Sequence, residues 1–538
     1  MNDTKGSIFR SARRFFSGTM LSRISGMLRD VTMAFGFGAQ SSIAAFLIAF
    51  RFAHLLRRLL GEGALQSAFI PEFEKIRQED PKRAAQFFRD LTASLSLFLS
   101  IIILVIMALL GGILLWADLA PDNAEIIQLT LLMMPSLLFI CLFGINASLL
   151  QCEKSYFTPG VAPVAFNFLW ILGIIFLWNL PVILAMRWLA IFINLACIAQ
   201  WTITLPHTLR SLKLLRNGSQ GSLKFFSKDV KNLLTPLCLG ILGVGASQIN
   251  NALDAVFARY ADSQGPAYLW YAIRLQQLPL ALFGIAISGA MLPPLSRAFK
   301  AGHLVQYREF LDFALRKSMA LILPISAAIF VLGDSCINLI YGHGDFDQHA
   351  IAGTTLCLWA YGAGLFPMAI ILILAPSFYA QNDYSTPTKA SLISIGLNIF
   401  LNYTFINFFR MGATSVAIAT GISAWVNLFL LSNALSSKSE YKPSGQLMQS
   451  FLKIICVSGL GVLAVLIFNF FFHENTFWIL LNGGQPQWTQ APFAQFKILT
   501  VQTLIFGGTI GLTSYVLQAD DLLKFHRAED SVVNIGKI

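Results

Sequence analysis

Charged residues are scarce in this chain: they make up 12% of its 538 residues, whereas apolar residues make up 56%. Soluble domains carry about 25% charged residues, so this chain lacks the polar surface that several soluble domains would need. Intrinsic disorder is excluded by the same composition. Cysteine is also sparse, with seven residues, which excludes a secreted disulfide scaffold. These shortages leave a polytopic membrane protein as the class that fits.

Motifs typical of enzymes are missing as well. The chain has no G-x-x-x-x-G-K-[ST] loop, which excludes an ATPase engine of the P-loop kind. Its seven histidines are scattered without metal-ligand spacing, and no nucleophile–base pair is evident. The sequence therefore predicts no metal, no cofactor and no covalent chemistry. A membrane glycosyltransferase stays open only through a faint outer-loop candidate between His343 and Asp347.

Long apolar runs are what the chain has in abundance. A membrane-spanning helix needs about 20 mostly apolar residues, and the predicted fold class is therefore an all-α polytopic membrane protein. Its fourteen predicted spans are residues 16–37, 41–56, 91–117, 126–150, 157–178, 181–205, 233–258, 266–293, 318–341, 350–376, 388–408, 412–435, 447–472 and 496–518.

The 38 Lys and Arg residues predict the orientation, because basic residues accumulate in cytoplasmic loops. Twenty-nine lie in terminal segments and loops of one side, seven lie in or at the ends of spans, and only Arg259 and Arg410 lie in loops of the other side. Both termini are therefore predicted to face the cytoplasm. The net charge of +11 is mostly a topology signal, so no nucleic-acid partner is predicted.

Two alignments within the chain indicate an internal repeat, a common feature of transporters. Residues 51–71 align with 274–294 at an offset of 223 with five identities, and 156–159 resemble 384–387 at an offset of 228. The repeat predicts two six-helix lobes and an extra C-terminal pair of helices. The corresponding parts of the chain are residues 1–220, 221–440 and 441–538.

Ionisable residues within the predicted spans are the main functional signal, because they are costly in a membrane. The basic ones that would line a central cavity are Arg23, Arg29, Arg51 and Arg274. Guanidinium groups suit phosphate oxygens, so they predict an anion site. In the alternative interpretation, the arginines pair structurally with Asp30, Glu62 and Asp254. Adjacent helix residues point about 100° apart, so Arg29 and Asp30 need not neutralise each other.

Several segments resemble the MurJ (MviN) family, and the resemblance runs from about residue 7 to residue 435. The most specific part is the segment 57–71. The segments that carry the resemblance are 22–30 (SRISGMLRD), 37–39, 49–51, 55–59, 62–71 (EGALQSAFIP), 247–250, 271–275, 292–296, 375–379 and 386–387. The family belongs to the multidrug/oligosaccharidyl-lipid/polysaccharide exporter superfamily.

The resemblance implies a transporter of the bacterial inner membrane with a role in peptidoglycan biosynthesis and cell shape. Such a protein flips lipid II, the undecaprenyl-pyrophosphate-linked precursor of peptidoglycan, to the outer leaflet by alternating access. The implied groups for the diphosphate are Arg23, Arg29 and Arg274, with Arg51 at the cytoplasmic mouth. The last two spans are expected to form a groove for the lipid tail.

The resemblance also sets expectations for energy and partners. A membrane potential or an ion gradient is the expected energy source, and the candidate residues for gating or ion coupling are Asp30, Glu62 and Asp254. The expected partners are lipid II, membrane lipids and the cell-wall synthesis machinery. Two positions depart from the family pattern, because Ala44 and Ile273 stand where the family often has a carboxylate. Asp254 is a candidate substitute for them.

Two other transporters of the same superfamily stay open from the sequence. A flippase for another polyprenyl-linked glycan, such as O-antigen, would differ only in its contacts to the head group. A cation-coupled drug exporter would need acidic residues in its cavity to hold cationic drugs. The excess of arginine over carboxylate within the spans argues against the exporter.

Overall fold

The computed structural model describes residues 5–55, 57, 63–216, 222–281, 294–439, 441–472, 476–484 and 486–523. Within these ranges the regular secondary structure is helical, and no strand occurs. The chain divides into two compact units, Met1–Val256 and Phe257–Ile538. The all-α prediction is therefore confirmed, while the division at residues 220 and 440 stays a prediction.

The helices of the first unit are numbered in chain order, and the last of them continues past the boundary at Val256. They are α1 (Lys5–Phe37), α2 (Ser41–Ala53), α3 (Ala64–Glu79), α4 (Pro81–Trp116), α5 (Pro121–Met133), α6 (Ser136–Cys152), α7 (Phe157–Leu177), α8 (Val182–Arg216) and α9 (Lys228–Ala261). Within this unit α1 packs along α7, α7 along α8, α8 against α6, and α2 against α5.

The second unit contains the remaining helices. They are α10 (Gly265–Pro279), α11 (Leu304–Tyr341), α12 (Gln348–Ala380), α13 (Ser385–Asn407), α14 (Thr414–Ser439), α15 (Gly445–Phe472), α16 (Thr476–Leu481), α17 (Pro492–Val516) and α18 (Asp520–Leu523). Helix α12 packs against α11 and α14, and α15 packs against α11 and α17.

Among the described helices, nine are long and apolar enough to cross a membrane, and ten if α5 and α6 form one bent span. The 46° bend between α5 and α6 lies at Pro135, because proline lacks the N–H that would continue the helix. Four helices at further predicted spans do not meet this test, namely α1, α2, α9 and α10. The count of fourteen spans therefore stays a prediction.

These four helices are also the ones that carry the candidate polar residues. Arg23 and Arg29 lie on α1, Arg51 on α2, Asp254 on α9 and Arg274 on α10. Charge and polar side chains lower the hydropathy of a helix, and α2 is only 13 residues long. The helices that do not meet the test, through polar content or short length, are thus those in which the sequence places the site.

Helix boundaries and pairings repeat along the chain. Helix α4 begins at Pro81 and α11 at Leu304, an offset of 223, which is the offset of the alignment between residues 51–71 and 274–294. The pairs α2–α5, α6–α8 and α7–α8 of the first unit recur as α10–α12, α12–α14 and α13–α14 in the second. The predicted internal repeat therefore extends to helix packing.

The turn before α7 recurs before α13 at an offset of 228. Lys154 and Asn382 both adopt a left-handed conformation, with φ of 56° and 61°. In each turn the next residue donates its backbone N–H five residues back, from Ser155 to Leu150 O at 2.8 Å and from Asp383 to Phe378 O at 3.0 Å. This is the Schellman geometry that ends a helix.

The carboxylate of Asp383 joins the second of these turns to two helices. It accepts hydrogen bonds from the backbone N–H and the hydroxyl of Thr386, at the start of α13, and from Lys438 at the end of α14. The ammonium of Lys438 and the hydroxyl of Thr386 hold the pKa of Asp383 at about 2, below its ordinary 3.8. The turn is therefore held by a carboxylate that stays ionised at neutral pH.

Residues 222–227, which lead into α9, are hydrogen-bonded to the polar first part of α4. This segment is called the strap below. Buried Asp90 accepts a hydrogen bond from the backbone N–H of Lys224 at 3.0 Å, and Ser94 Oγ accepts one from Phe226 N at 2.9 Å. Arg83 adds a two-bond contact to Asp229 with distances of 3.1 and 2.6 Å. These contacts join residues 132 to 146 positions apart, so this docking is decided by tertiary packing.

Replacing Asp90 by alanine is expected to loosen this strap. The change leaves the N–H of Lys224 without its buried acceptor, at a cost of about 1–3 kcal/mol. Hydrogen exchange of residues 222–227 should therefore quicken in the purified protein. The control is Glu79→Ala, which removes only an exposed ion pair with Arg83 and should leave the exchange unchanged. Equal exchange in Asp90→Ala and wild type would contradict the strap.

Candidate functional site

The candidate site in the first unit is built around Arg29 on α1. The guanidinium Nε and Nη2 donate to Asp30 Oδ1 at 3.0 and 2.7 Å, and Nη1 donates to Asn167 Oδ1 on α7 at 3.0 Å. The guanidinium carbon lies 4.5 Å from the ring centre of Trp170. Arg29 is 6% exposed and Asp30 3% exposed.

This geometry corrects the expectation that Arg29 and Asp30 need not pair. Their Cα–Cβ directions differ by about 100°, but the arginine side chain is long enough to turn its planar fork onto the neighbouring carboxylate. A buried ion pair avoids the cost of an uncompensated charge in an apolar environment. In this conformation Arg29 is therefore held between Asp30, Asn167 and Trp170.

Two residues of this cluster, Asn167 and Trp170, were not predicted as site residues. A signal was present, because Asn167 is the one strongly polar side chain within the apolar run 157–178. A polar residue in a span is expected to contact a partner. Which partner it contacts depends on the packing of α7 against α1, which the sequence pattern does not reveal.

The other predicted arginines of the first unit have different surroundings. Arg23 is exposed on α1. Arg51 is half-buried near the end of α2, and its Nη1 donates to the backbone oxygen of Asn251 on α9 at 3.2 Å. Arg51 therefore joins α2 to α9, as one of the polar contacts expected between spans.

The second unit contains Arg274, on α10. Its guanidinium carbon lies 4.3 Å from the ring centre of Trp270, one turn earlier on the same helix, and the side chain is half-buried. A cation over an indole ring is stabilised by the ring quadrupole. Arg29 and Arg274 thus share one local feature, a guanidinium resting on a tryptophan.

Of the predicted carboxylates, Asp30 and Asp254 lie within the described residues. Asp254 on α9 is 6% exposed, and its Oδ2 lies 3.5 Å from Asn250 Nδ2. Glu62 lies outside the described residues. Ala44 is fully buried on α2, so that position offers no carboxylate to the interior of the first unit.

Two further expectations concern metals and enzymatic residues. Among the described residues, no group of three or more His, Cys, Asp and Glu side chains could hold a metal ion. In the turn before α12, Asp347 Oδ1 accepts a hydrogen bond from Ala350 N at 2.8 Å and caps the helix. His343 Nε2 lies 3.0 Å from the backbone oxygen of Leu339. Both side chains of this turn therefore have structural contacts.

An apolar cavity of about 560 Å³ lies within the second unit, between α11, α12, α14, α15 and α16. Its lining is mainly aromatic and aliphatic, with only a few hydroxyl groups. Representative lining residues are Ser326, Phe330, Phe366, Trp425, Ser458 and Phe477. A cavity of this chemistry suits a hydrocarbon chain rather than a charged group.

Comparisons with known proteins agree with the fold. A family model described as lipid II flippase MurJ matches residues 33–483, which is more than half of the chain. The chain belongs to the lipid II flippase MurJ family. The predicted family is thereby confirmed. One MurJ relative, named a probable lipid II flippase, comes from Chlamydia pneumoniae and is 32% identical over 526 residues, covering 97% of this chain and 94% of its own length.

Two solved structures extend the comparison. A structure of lipid II flippase MurJ in an inward closed conformation is 25% identical, with a TM-score of 0.73, and the match covers 92% of this chain and 98% of that one. An inward-facing MATE family transporter of the MOP superfamily is 14% identical with a TM-score of 0.62, covering 80% of this chain and all of that one. The MATE protein shares the fold, and the MurJ structure shares the family.

Proposed function

We propose that this protein flips lipid II from the cytoplasmic to the outer leaflet of the bacterial inner membrane, without covalent chemistry. Membership of the lipid II flippase MurJ family is the observation that carries the proposal. The helices α1, α2, α9 and α10, which carry the candidate charged residues, would supply contacts for the charged head group. A cycle of alternating access would expose these contacts first to the cytoplasm and then to the outside.

The diphosphate of lipid II is proposed to bind Arg23, Arg29 and Arg274, with Arg51 at the cytoplasmic mouth. A guanidinium offers a planar fork of donors that matches phosphate oxygens. The half-buried surroundings of Arg274 support this role, because an ion pair is stronger where water is partly excluded. Arg29 would have to exchange its present partners for the diphosphate.

The lipid tail is proposed to occupy the apolar cavity of the second unit. Helix α15, the first of the two C-terminal spans, contributes Phe451, Ser458 and Val462 to its lining. Transfer of a prenyl chain into such a lining follows the same hydrophobic effect that holds it in the bilayer. The tail would thus stay in an apolar environment while the head group crosses.

The membrane potential is proposed as the energy source, with an ion as a further contribution. Moving one elementary charge through 100 mV is worth about 2.3 kcal/mol, and an inside-negative potential drives an anionic head group outward. Asp254 is the proposed ion-coupling residue, supported by its burial on α9. Both termini are proposed to be cytoplasmic, and the cell-wall synthesis machinery is the proposed partner.

Replacing Arg29 or Arg274 by alanine tests the proposal. Each change is expected to lower outward exposure of lipid II about 10- to 100-fold in cells depleted of their own flippase, because a hydrogen bond to a charged group is worth about 1.5–3 kcal/mol. Lysine at either position should retain part of the activity if charge alone suffices.

The matched control is Arg187→Ala, because Arg187 is an exposed arginine of α8 that donates to Gln128. It should flip lipid II at the wild-type rate when the protein is present at equal amounts. Full activity in both Arg29→Ala and Arg274→Ala would overturn the proposed diphosphate site. Mass spectrometry of the co-purified lipid would then identify the substrate directly.

A further inference from the structure

The side-chain amide of Asn167 forms hydrogen bonds to three residues of α1. Its Oδ1 accepts from Arg29 Nη1 at 3.0 Å, and its Nδ2 donates to Ser22 O at 3.2 Å and to Ser25 Oγ at 2.9 Å. An asparagine amide has two donor hydrogens and one acceptor oxygen, so each is used. This arrangement, with Arg29 bonded to both Asp30 and Asn167, is called the stowed arrangement below.

The local packing of α1 makes this approach feasible. Gly26 faces Asn167, and a Cβ atom added at Gly26 would lie 3.6 Å from Asn167 Nδ2. The two helices come closer still where Gly18 of α1 meets the first turn of α7, because a Cβ on Gly18 would lie 3.1 Å from the backbone of Gly160. Small residues thus let α7 bring a polar side chain against the backbone of α1.

The two acceptors that hold Arg29 differ in strength. Asp30 is a carboxylate and moves with Arg29, because both lie on α1. Asn167 is a neutral amide on another helix, and a hydrogen bond to a neutral acceptor is weaker than one to an anion. A diphosphate that approaches Arg29 would therefore displace Asn167 first.

We propose that Asn167 is a positioning residue that holds Arg29 in the stowed arrangement and releases it when the diphosphate binds. The inference rests on the proposed function, in which Arg29 contacts the diphosphate. Asn167 then competes with the substrate for one guanidinium nitrogen. Weakening the Asn167 contact favours binding, and strengthening it opposes binding.

The first test needs no substrate. The purified protein is treated with phenylglyoxal, an arginine-specific reagent, and the modification rate of Arg29 is followed by peptide mass spectrometry. Asn167→Ala should raise this rate, because one of the contacts that shield Arg29 is lost. Asn167→Asp should lower it, because a second carboxylate then holds the guanidinium. The exposed Arg23 on the same helix is the internal reference and should react alike in all variants.

The second test measures binding of lipid II to the same purified variants. Asn167→Ala should lower the dissociation constant about three- to tenfold. Asn167→Asp should raise it by a similar factor, as for residues coupled in one hydrogen-bond network. Both shifts should vanish when Arg29 is also replaced by alanine. A purely structural role would instead make both variants bind more weakly.

The matched controls are Asn146→Ala and Asn146→Asp. Asn146 is a buried asparagine on α6 that donates to Thr204, so its variants repeat the chemical change away from Arg29. They should leave both readouts unchanged. Asn167→Ser serves as a second, milder variant if Asn167→Asp does not fold. It should change the modification rate of Arg29 and the dissociation constant in the same direction as Asn167→Ala.

The outcomes separate this inference from the proposed function. Modification rates of Arg29 that do not move in opposite directions in Asn167→Ala and Asn167→Asp would overturn the positioning role. Wild-type lipid II binding by Arg29→Ala would instead overturn the assignment of Arg29 to the diphosphate. The phenylglyoxal result does not depend on lipid II, so the two failures are distinguishable.

Discussion

Replacing Asp30 by alanine is expected to lower the free energy of unfolding by about 3–5 kcal/mol, because it leaves a buried arginine without its counter-charge. Asp30 Oδ1 accepts two hydrogen bonds from Arg29, at 3.0 and 2.7 Å, and both residues are almost completely buried. After the substitution the guanidinium would keep its contacts to Asn167 and to the face of Trp170 but lose the carboxylate. A neutral amide and an indole ring do not replace a carboxylate.

The thermal unfolding midpoint of the purified protein in one detergent checks this result. Asp30→Asn should lower the midpoint less than Asp30→Ala does, because the amide oxygen still accepts a hydrogen bond. A double variant, Arg29→Met with Asp30→Leu, should be more stable than Asp30→Ala, because no uncompensated charge is left. Asp118→Ala changes an exposed aspartate and serves as the control. A midpoint of Asp30→Ala equal to that of this control would contradict the buried ion pair.

Gly265→Ala is expected to lower the free energy of unfolding of the second unit by about 1–3 kcal/mol, the usual range for overpacking. Gly265 begins α10, and a Cβ atom there would lie 2.4 Å from the backbone oxygen of Ala258 and 2.7 Å from the Cβ of Ala413. Neither atom belongs to a flexible side chain, so the backbone itself would have to move. The turn between α9 and α10 leads directly into the helix that carries Arg274.

The matched control is Gly111→Ala in α4, where an added Cβ meets nothing within 4 Å. Alanine is a better helix former than glycine by about 1 kcal/mol, so this change should be neutral or stabilising. The two variants are therefore expected to shift the unfolding midpoint in opposite directions. Equal midpoints for Gly265→Ala and wild type would show that the turn tolerates a side chain.

The fold was largely predictable because its main signals are local. Apolar runs of the required length marked the spans, and the described helices coincide with them, although α4 and α11 begin well before their apolar parts. A hydropathy pattern reports the membrane-facing part of a helix, whereas Asp80 and Pro81 start α4 in a polar segment through capping. The bend at Pro135 and the docking of Asp90 on the segment before α9 were not predicted.

For the candidate site, the sequence singled out charged residues but did not predict their contacts. Arg29 and Arg274 stood out because charge inside a span is costly, and Trp170 did not, because an aromatic residue in an apolar run carries no such signal. The pairing of Arg29 with Asp30 was missed because a helical wheel describes Cβ directions and not the reach of a long side chain. Its bond to Asn167 joins residues 138 positions apart.

The sequence by itself determined the membrane class, the positions of most spans, the internal repeat and the family, because each depends on composition, periodicity or short motifs. Only the tertiary structure decided which partners the intramembrane charges have. A buried guanidinium must find acceptors within about 3 Å, and the packing of α7 against α1 determines which acceptors lie at that distance. The contacts of Arg29 with Asn167 and Trp170 therefore cannot be predicted from either segment of the sequence by itself.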